Sequence, residues 1–119
     1  MSPMNRFEDI LRRLTIIDEG FVEAGAGLVL GPGGTSALDP RTVALLRLGA
    51  SVAIGSSAVS LEWCTTRATA AGASDDEIAE VLLAIAPVAG LGRVASAAPD
   101  VAIALGYDIA SALEEPNDH

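Results

Sequence analysis

LDPRTVALLRLGASVAIG, residues 38–55, is the segment that points most clearly to the architecture. Asp39 and Pro40 make a strong helix start, because Asp is a preferred N-cap and Pro suits the first turn. The residues that follow predict a helix over residues 40–54 that is apolar on nearly all sides, apart from one narrow polar stripe. We expect such a helix to be central and buried.

Capping signals predict the next helix along the chain. Ser56 or Ser57 can cap a helix over residues 58–71, and Gly72 follows it as the glycine that commonly ends a helix.

The spacing Ser74-x-x-Glu77 is a capping box that opens a further helix, which Pro87 is expected to bend or end. The remaining predicted helical segments are residues 5–14, 16–28, 94–98, 100–105 (capped by Asp100) and 108–114 (capped by Asp108). Strand-type alternation is weak. The sequence therefore predicts an all-α fold of six to eight helices in a single domain, residues 1–119.

Composition excludes several chemistries. The chain has 119 residues and no Lys, its one His is His119, and its one Cys is Cys64. We therefore expect no lysine-based cofactor anchor, no His-based triad, no metal site and no intramolecular disulfide. A net charge of −9 argues against nucleic acid and anionic membranes as partners. A single thiol, with no signal peptide or membrane span evident, favours a cytoplasmic location. No cofactor is expected.

Apolar residues are abundant for a chain of this size. They make up 50% of the sequence, whereas charged residues make up 19%. A domain of about 120 residues leaves roughly a third of its unfolded-chain surface exposed to water. We therefore expect other copies of the chain to cover part of the apolar surface, giving a homo-oligomer.

One polar stripe carries the candidate chemistry. Ser57, Ser60 and Cys64 are spaced three and four residues apart, so they share one face of the predicted helix over residues 58–71. One interpretation is a face of small residues that lets another helix pack closely, with Cys64 inert. The other is a reactive edge, with Cys64 as nucleophile or redox centre and the serines as its hydrogen-bonding neighbours.

Two arginines interrupt apolar surroundings. Arg47, which shares its stripe with Ser51, and Arg93 each require a partner if buried, and Glu62 could supply one as an ion pair. Alternatively, either arginine could activate Cys64 or bind a substrate carboxylate, with Glu62 as a general base. Trp63 is expected to be a core or interface anchor.

Residues 38–98 resemble the carboxymuconolactone decarboxylase family, which includes the AhpD-like alkylhydroperoxidases. The resemblance rests on the order and spacing of LDPRTVALLRLGASVAIG, SLEWCTTRATAAGAS, DDEIAEVLLAIAPVAGLGRV and the AGLGRV turn within it. It implies an all-α fold, assembled as homotrimers or homohexamers, with active sites near subunit contacts. Residues 1–37 would then form a helical N-terminal extension.

The same resemblance shows which family residues are missing. Redox-active members carry Cys-x-x-Cys-x-x-x-His, and the matching positions here are Ser57, Ser60 and Cys64. The acidic residue of the proton relay falls at Leu45. A peroxidase cycle through an intramolecular disulfide is therefore excluded, and decarboxylation through the family His is unsupported.

Two hypotheses for function follow. The first is a peroxidase-like or lyase-like enzyme acting on a small organic acid, lactone or hydroperoxide at a subunit-interface pocket. Cys64 would react there, with Ser57 and Ser60 beside it and Arg47, Arg93 and Glu62 as substrate contacts. The second is a non-catalytic oligomeric member that binds a ligand or serves a structural role.

Overall fold

The computed structural model describes residues 5–20, 37–108 and 114. Within those residues the fold is all-α, with no strand, as the sequence predicts. The helices are α1 (Arg6–Thr15), α2 (Pro40–Ala53), α3 (Ala58–Ala70), α4 (Asp75–Ala89) and α5 (Leu91–Ala104). Five helices lie within the described residues, and the count of six to eight for the whole chain stays a prediction.

Local capping explains where α3 and α4 begin. The Ser57 hydroxyl accepts a hydrogen bond from the Ser60 backbone N–H at 3.3 Å. The capping box at α4 is complete: Glu77 N–H donates to Ser74 Oγ at 3.0 Å, and Ser74 N–H donates to Glu77 Oε1 at 2.9 Å. Gly72 has a φ of +100°, which suits a glycine after a helix end. These local predictions are confirmed.

Neither proline of the last two helices ends its helix. Pro87 lies inside α4, which continues to Ala89, and Pro99 lies inside α5. The two short helices predicted for residues 94–98 and 100–105 are therefore one helix, and Asp100 is within it rather than its cap. The buried face of α5 continues on both sides of Pro99: Ala97 and Val101, one turn apart, are both buried, and Pro99 itself is exposed. That packing outweighs the backbone hydrogen bond lost at proline.

Contacts divide the chain into two compact units, Met1–Asp39 and Pro40–His119. In the second unit, α2 packs against α3 and α4, and α5 packs against the same two helices. The core residues come from all four helices and the α3–α4 turn: Leu48, Val52, Leu61, Ala68, Ala73, Ile78, Ala97 and Val101. A Cβ built on Gly49 would lie 3.2 Å from Ile85 Cγ2, so the absence of a side chain lets α2 approach α4 closely.

The first unit contains α1, an amphipathic helix with no buried residue. The helix predicted for residues 5–14 is confirmed to within one residue at each end. The start of the helix predicted for residues 16–28 is wrong, because Ile16 and Ile17 form a turn in which Ile17 has a φ of +57°. Residues 21–36 lie outside the described part, as do residues 109–113 of the helix predicted for 108–114.

The expected burial of α2 is found on its inner side only within one chain. Leu48 is fully buried on the inner side, whereas Leu46 is 58% exposed and Ile54 is 74% exposed to solvent. Four helices leave one side of each uncovered, so apolar residues on that side remain in contact with solvent. Among the described helices, none has the length and apolar character needed to cross a membrane.

Candidate functional site

Cys64 lies on the α3 side that faces α2. It is half-buried and packs against the core. Its Sγ is 3.2 Å from Ser51 Oγ on α2, close enough for a hydrogen bond in which either group could donate. Its neighbour Thr65 is fully buried and donates from Oγ1 to the Leu61 carbonyl at 2.7 Å. The polar groups on this side of α3 are therefore satisfied within the chain.

The two serines predicted to serve Cys64 form hydrogen bonds with each other instead. Ser57 and Ser60 are exposed at the start of α3, and the Ser57 hydroxyl donates to Ser60 Oγ at 3.2 Å. Within residues 37–108, neither is hydrogen-bonded to Cys64. Their hydroxyls serve the helix N-terminus, and the structure does not join the three residues into one hydrogen-bonded site.

Ser51 is the neighbour of Cys64 that the sequence did not identify as a site residue. A signal was present, because Arg47 and Ser51 are the only polar side chains of α2 beyond its first turn and share one stripe. Spacing along the chain could not show which residue of α3 this stripe would meet. That pairing depends on how the two helices pack.

The structure does not join Arg47 to Glu62. Both side chains are half-buried, and in the part of the chain that the structure describes no ion pair links them. Trp63 is exposed by 59%, so it is not a core anchor. The guanidinium of Arg67, one turn later, lies over its ring at 5.1 Å from the centroid, a cation–π contact.

Arg93 lies in a different part of the structure from Cys64. It lines a cleft of about 350 Å³ formed by the end of α2, the start of α3 and one side of α5. Its guanidinium lies directly over Gly55, where any Cβ would collide with it. Asp100, Ser56 and Ser96 also line this cleft, which we call the α5 cleft. Cys64 does not line it.

A second cleft, of about 420 Å³, lies between the start of α4 and the end of α5. Its lining is more apolar and includes Leu82, Val101, Leu105 and Tyr107, with Asp75 and Asp76 among the polar residues. Within the described residues, no group of three or more His, Cys, Asp or Glu side chains is placed to hold a metal ion.

With this geometry in hand, comparison with known proteins identifies the class of the chain. The model of the carboxymuconolactone decarboxylase family matches residues 17–102, well over half of the 119 residues. The chain belongs to the carboxymuconolactone decarboxylase family. No curated protein and no solved structure matches it.

The family match confirms the resemblance seen in the sequence and extends it. The match contains the predicted core at residues 38–98 and begins earlier, at residue 17, within the expected N-terminal extension. It covers α2, α3 and α4 in full and α5 as far as Ala102. Cys64, Ser51 and the α5 cleft all lie inside the matched segment.

Proposed function

We propose that this chain is a non-catalytic, ligand-binding member of its family, in which Cys64 is a packing residue. The observation that carries the proposal is the environment of the thiol. Cys64 packs against the core and shares its one hydrogen bond in the described residues with the neutral hydroxyl of Ser51. A reactive cysteine needs a neighbouring base or cation that stabilises the thiolate. Arg93, one of the two arginines predicted as able to activate Cys64, lines a cleft that does not include Cys64.

We also propose that the chain works as a homo-oligomer, a homotrimer or homohexamer. Large apolar side chains are exposed on every helix of the second unit, including Leu46, Val59, Trp63, Leu83, Val88, Leu91 and Ile103. Soluble monomers rarely expose apolar surface on this scale. Contacts between subunits would remove it from water.

One contact favours a second candidate, an enzyme that uses Cys64 alone. If Ser51 donates its hydrogen bond to sulfur, it stabilises negative charge there. The thiolate could then attack a hydroperoxide, forming a sulfenic acid and releasing an alcohol, and an external thiol would reduce the sulfenic acid. Action on a small organic acid or lactone belongs to the same candidate.

Thiol labelling separates the two candidates. The native protein and the chain unfolded in denaturant are treated with a thiol reagent near neutral pH. We expect the native protein to label at least about tenfold more slowly, because packing limits access to the thiol. Ser51→Ala should raise the native rate by loosening this contact, and Ser60→Ala, the matched control, should leave it unchanged. A native rate above the unfolded rate, with a sulfenic acid trapped after peroxide treatment, would establish the second candidate.

Light scattering tests assembly. The purified protein should have a mass several times that of the 12.0 kDa chain. Val88→Asp places a charge on a side chain that is 90% exposed and should reduce that mass if α4 takes part in the contact. A stable monomer at micromolar concentration would contradict the proposed oligomer and leave the assignment of Cys64 standing.

A further inference from the structure

The α5 cleft contains all the charged and hydroxyl side chains of α5. Arg93, Ser96 and Asp100 are spaced three and four residues apart, so they form one stripe, and all three line the cleft. Ser56, which precedes α3, lines the same cleft. The rest of α5 is built from alanine, aliphatic residues, glycine and proline. The polar groups of this helix are therefore concentrated at one concave surface.

The stability of α5 itself does not account for the two charges. Arg93 is the third residue of α5, where the positive end of the helix dipole repels a cation. Asp100 is one turn from the other end, where the dipole repels an anion. Exchanging the two charges would suit the helix better. Their positions therefore favour a role in the cleft.

Neither charge is matched by a partner in the described residues. Arg93 and Asp100 form no ion pair and no side-chain hydrogen bond there, with each other or with neighbours. They are seven positions apart in the sequence, which places their Cα atoms about 10 Å apart along the helix. A single ligand that reached both would need an anionic group and a cationic group several bonds apart.

Arg93 is positioned by its surroundings. Its guanidinium occupies the space above Gly55 that a side chain would fill, next to the C-terminal end of α2. The negative end of the α2 dipole attracts the guanidinium, and the bare glycine backbone gives it room. The guanidinium of the exposed Arg93 therefore lies at the wall of the cleft. Asp100 is half-buried on the same side of α5.

We propose that the α5 cleft binds a small zwitterion, an amino acid in which a short carbon chain separates the two charged groups. Arg93 holds its carboxylate, Asp100 holds its ammonium group, and Ser56 and Ser96 line the same cleft with their hydroxyls. The volume of about 350 Å³ falls at the small end of ligand sites. The inference deepens the proposed binding function and depends on neither Cys64 nor assembly.

The charge of the whole protein favours the same ligand class. At a net charge of −9 the chain repels anions at long range, and a dicarboxylate would be repelled twice as strongly as a monocarboxylate. A zwitterion has no net charge and avoids this repulsion. It also satisfies both Arg93 and Asp100, whereas a simple anion leaves the Asp100 carboxylate unmatched.

Calorimetric titration of the intact protein with three probes tests the proposal. The probes are ε-aminocaproate, caproate and hexylamine, which share a carbon chain and differ in their charged ends. We expect ε-aminocaproate to bind at least about tenfold more tightly than either singly charged probe, as a second charge-assisted contact should give. Arg93→Gln should weaken binding of ε-aminocaproate by about tenfold and leave hexylamine unaffected. Asp100→Asn should weaken binding of the two probes that have an ammonium group, ε-aminocaproate and hexylamine, and leave binding of caproate unchanged.

Two control variants test whether a change in affinity comes from the α5 cleft or from the change in the protein's net charge. Arg67→Gln and Glu80→Gln remove the same charges from exposed positions outside the α5 cleft and should leave all three affinities unchanged. If Arg93 only stabilises the end of α2, Arg93→Gln lowers the midpoint of thermal unfolding and no probe binds to the wild type. The proposal is overturned by that outcome, by equal losses in the Arg67→Gln control, or by no saturable binding of ε-aminocaproate below about 10 mM. Each of these leaves the thiol-labelling result for Cys64 unaffected.

Discussion

Helix α1 and helix α4 use apolar residues in opposite ways. Apolar residues of α1, including Phe7 and Leu11, line one side of a polar helix, yet none is buried. Helix α4 has apolar residues on more than one side, and one of them, Ile78, is completely buried. The more sharply amphipathic of the two helices is therefore the one that contributes nothing to a core within the described residues.

This difference shows what an apolar pattern does and does not determine. A one-sided stripe predicts that a helix forms, but its burial depends on whether another surface is present to cover it. Helix α4 packs against α2 and α5, and its second apolar side, with Leu83 and Val88, remains exposed in a single chain. The same argument supports assembly for α2–α5.

Shortening a fully buried side chain of α4 should have the largest effect on stability. Ile78 is 0% exposed and lies in the core cluster, so Ile78→Ala leaves a cavity. We expect the free energy of unfolding to fall by about 2–5 kcal/mol. Chemical denaturation followed by circular dichroism measures this loss.

Leu83→Ala on the same helix is the matched control, because Leu83 is 73% exposed. Its loss should be below about 1 kcal/mol where the chain is monomeric; if α4 meets another subunit, the loss should be larger at concentrations where subunits assemble and should shrink on dilution. A loss at Leu83 equal to that at Ile78 and independent of concentration would mean that the two sides of α4 do not differ as described.

The starts of helices could be predicted from the sequence far better than the site could. Asp39-Pro40 and the Ser74 capping box depend on residues within one turn, so the starts of α2 and α4 were found correctly. The continuity of α5 through Pro99 depends on packing against α3 and α4, which local signals do not contain. The same limit applies to the pairing of Ser51 with Cys64, which lie 13 residues apart on different helices.

Removing the N-cap residue should lower the free energy of unfolding more for α4 than for α1, and both losses should be smaller than that of Ile78→Ala. Ser74 and Glu77 form a complete capping box at α4, whereas Asn5, the N-cap of α1, makes no side-chain capping hydrogen bond. Ser74→Ala should therefore lower the free energy of unfolding by about 1 kcal/mol, and Asn5→Ala should lower it by much less. Denaturation curves of the two variants, recorded side by side, make the comparison. Equal losses would show that the N-cap of α1 contributes more than its hydrogen bonds indicate.

The smallest effect is expected on the exposed face of α1. Leu11 is 58% exposed, and alanine is the best helix former, so Leu11→Ala removes apolar surface without weakening the helix. The free energy of unfolding should change by less than about 0.5 kcal/mol, at high and at low protein concentration. A loss near that of Ile78→Ala would show that the α1 stripe is buried in the native protein. If that loss shrank on dilution, the covering surface would belong to another copy of the chain, because dilution separates the subunits and removes the contact from the wild type as well.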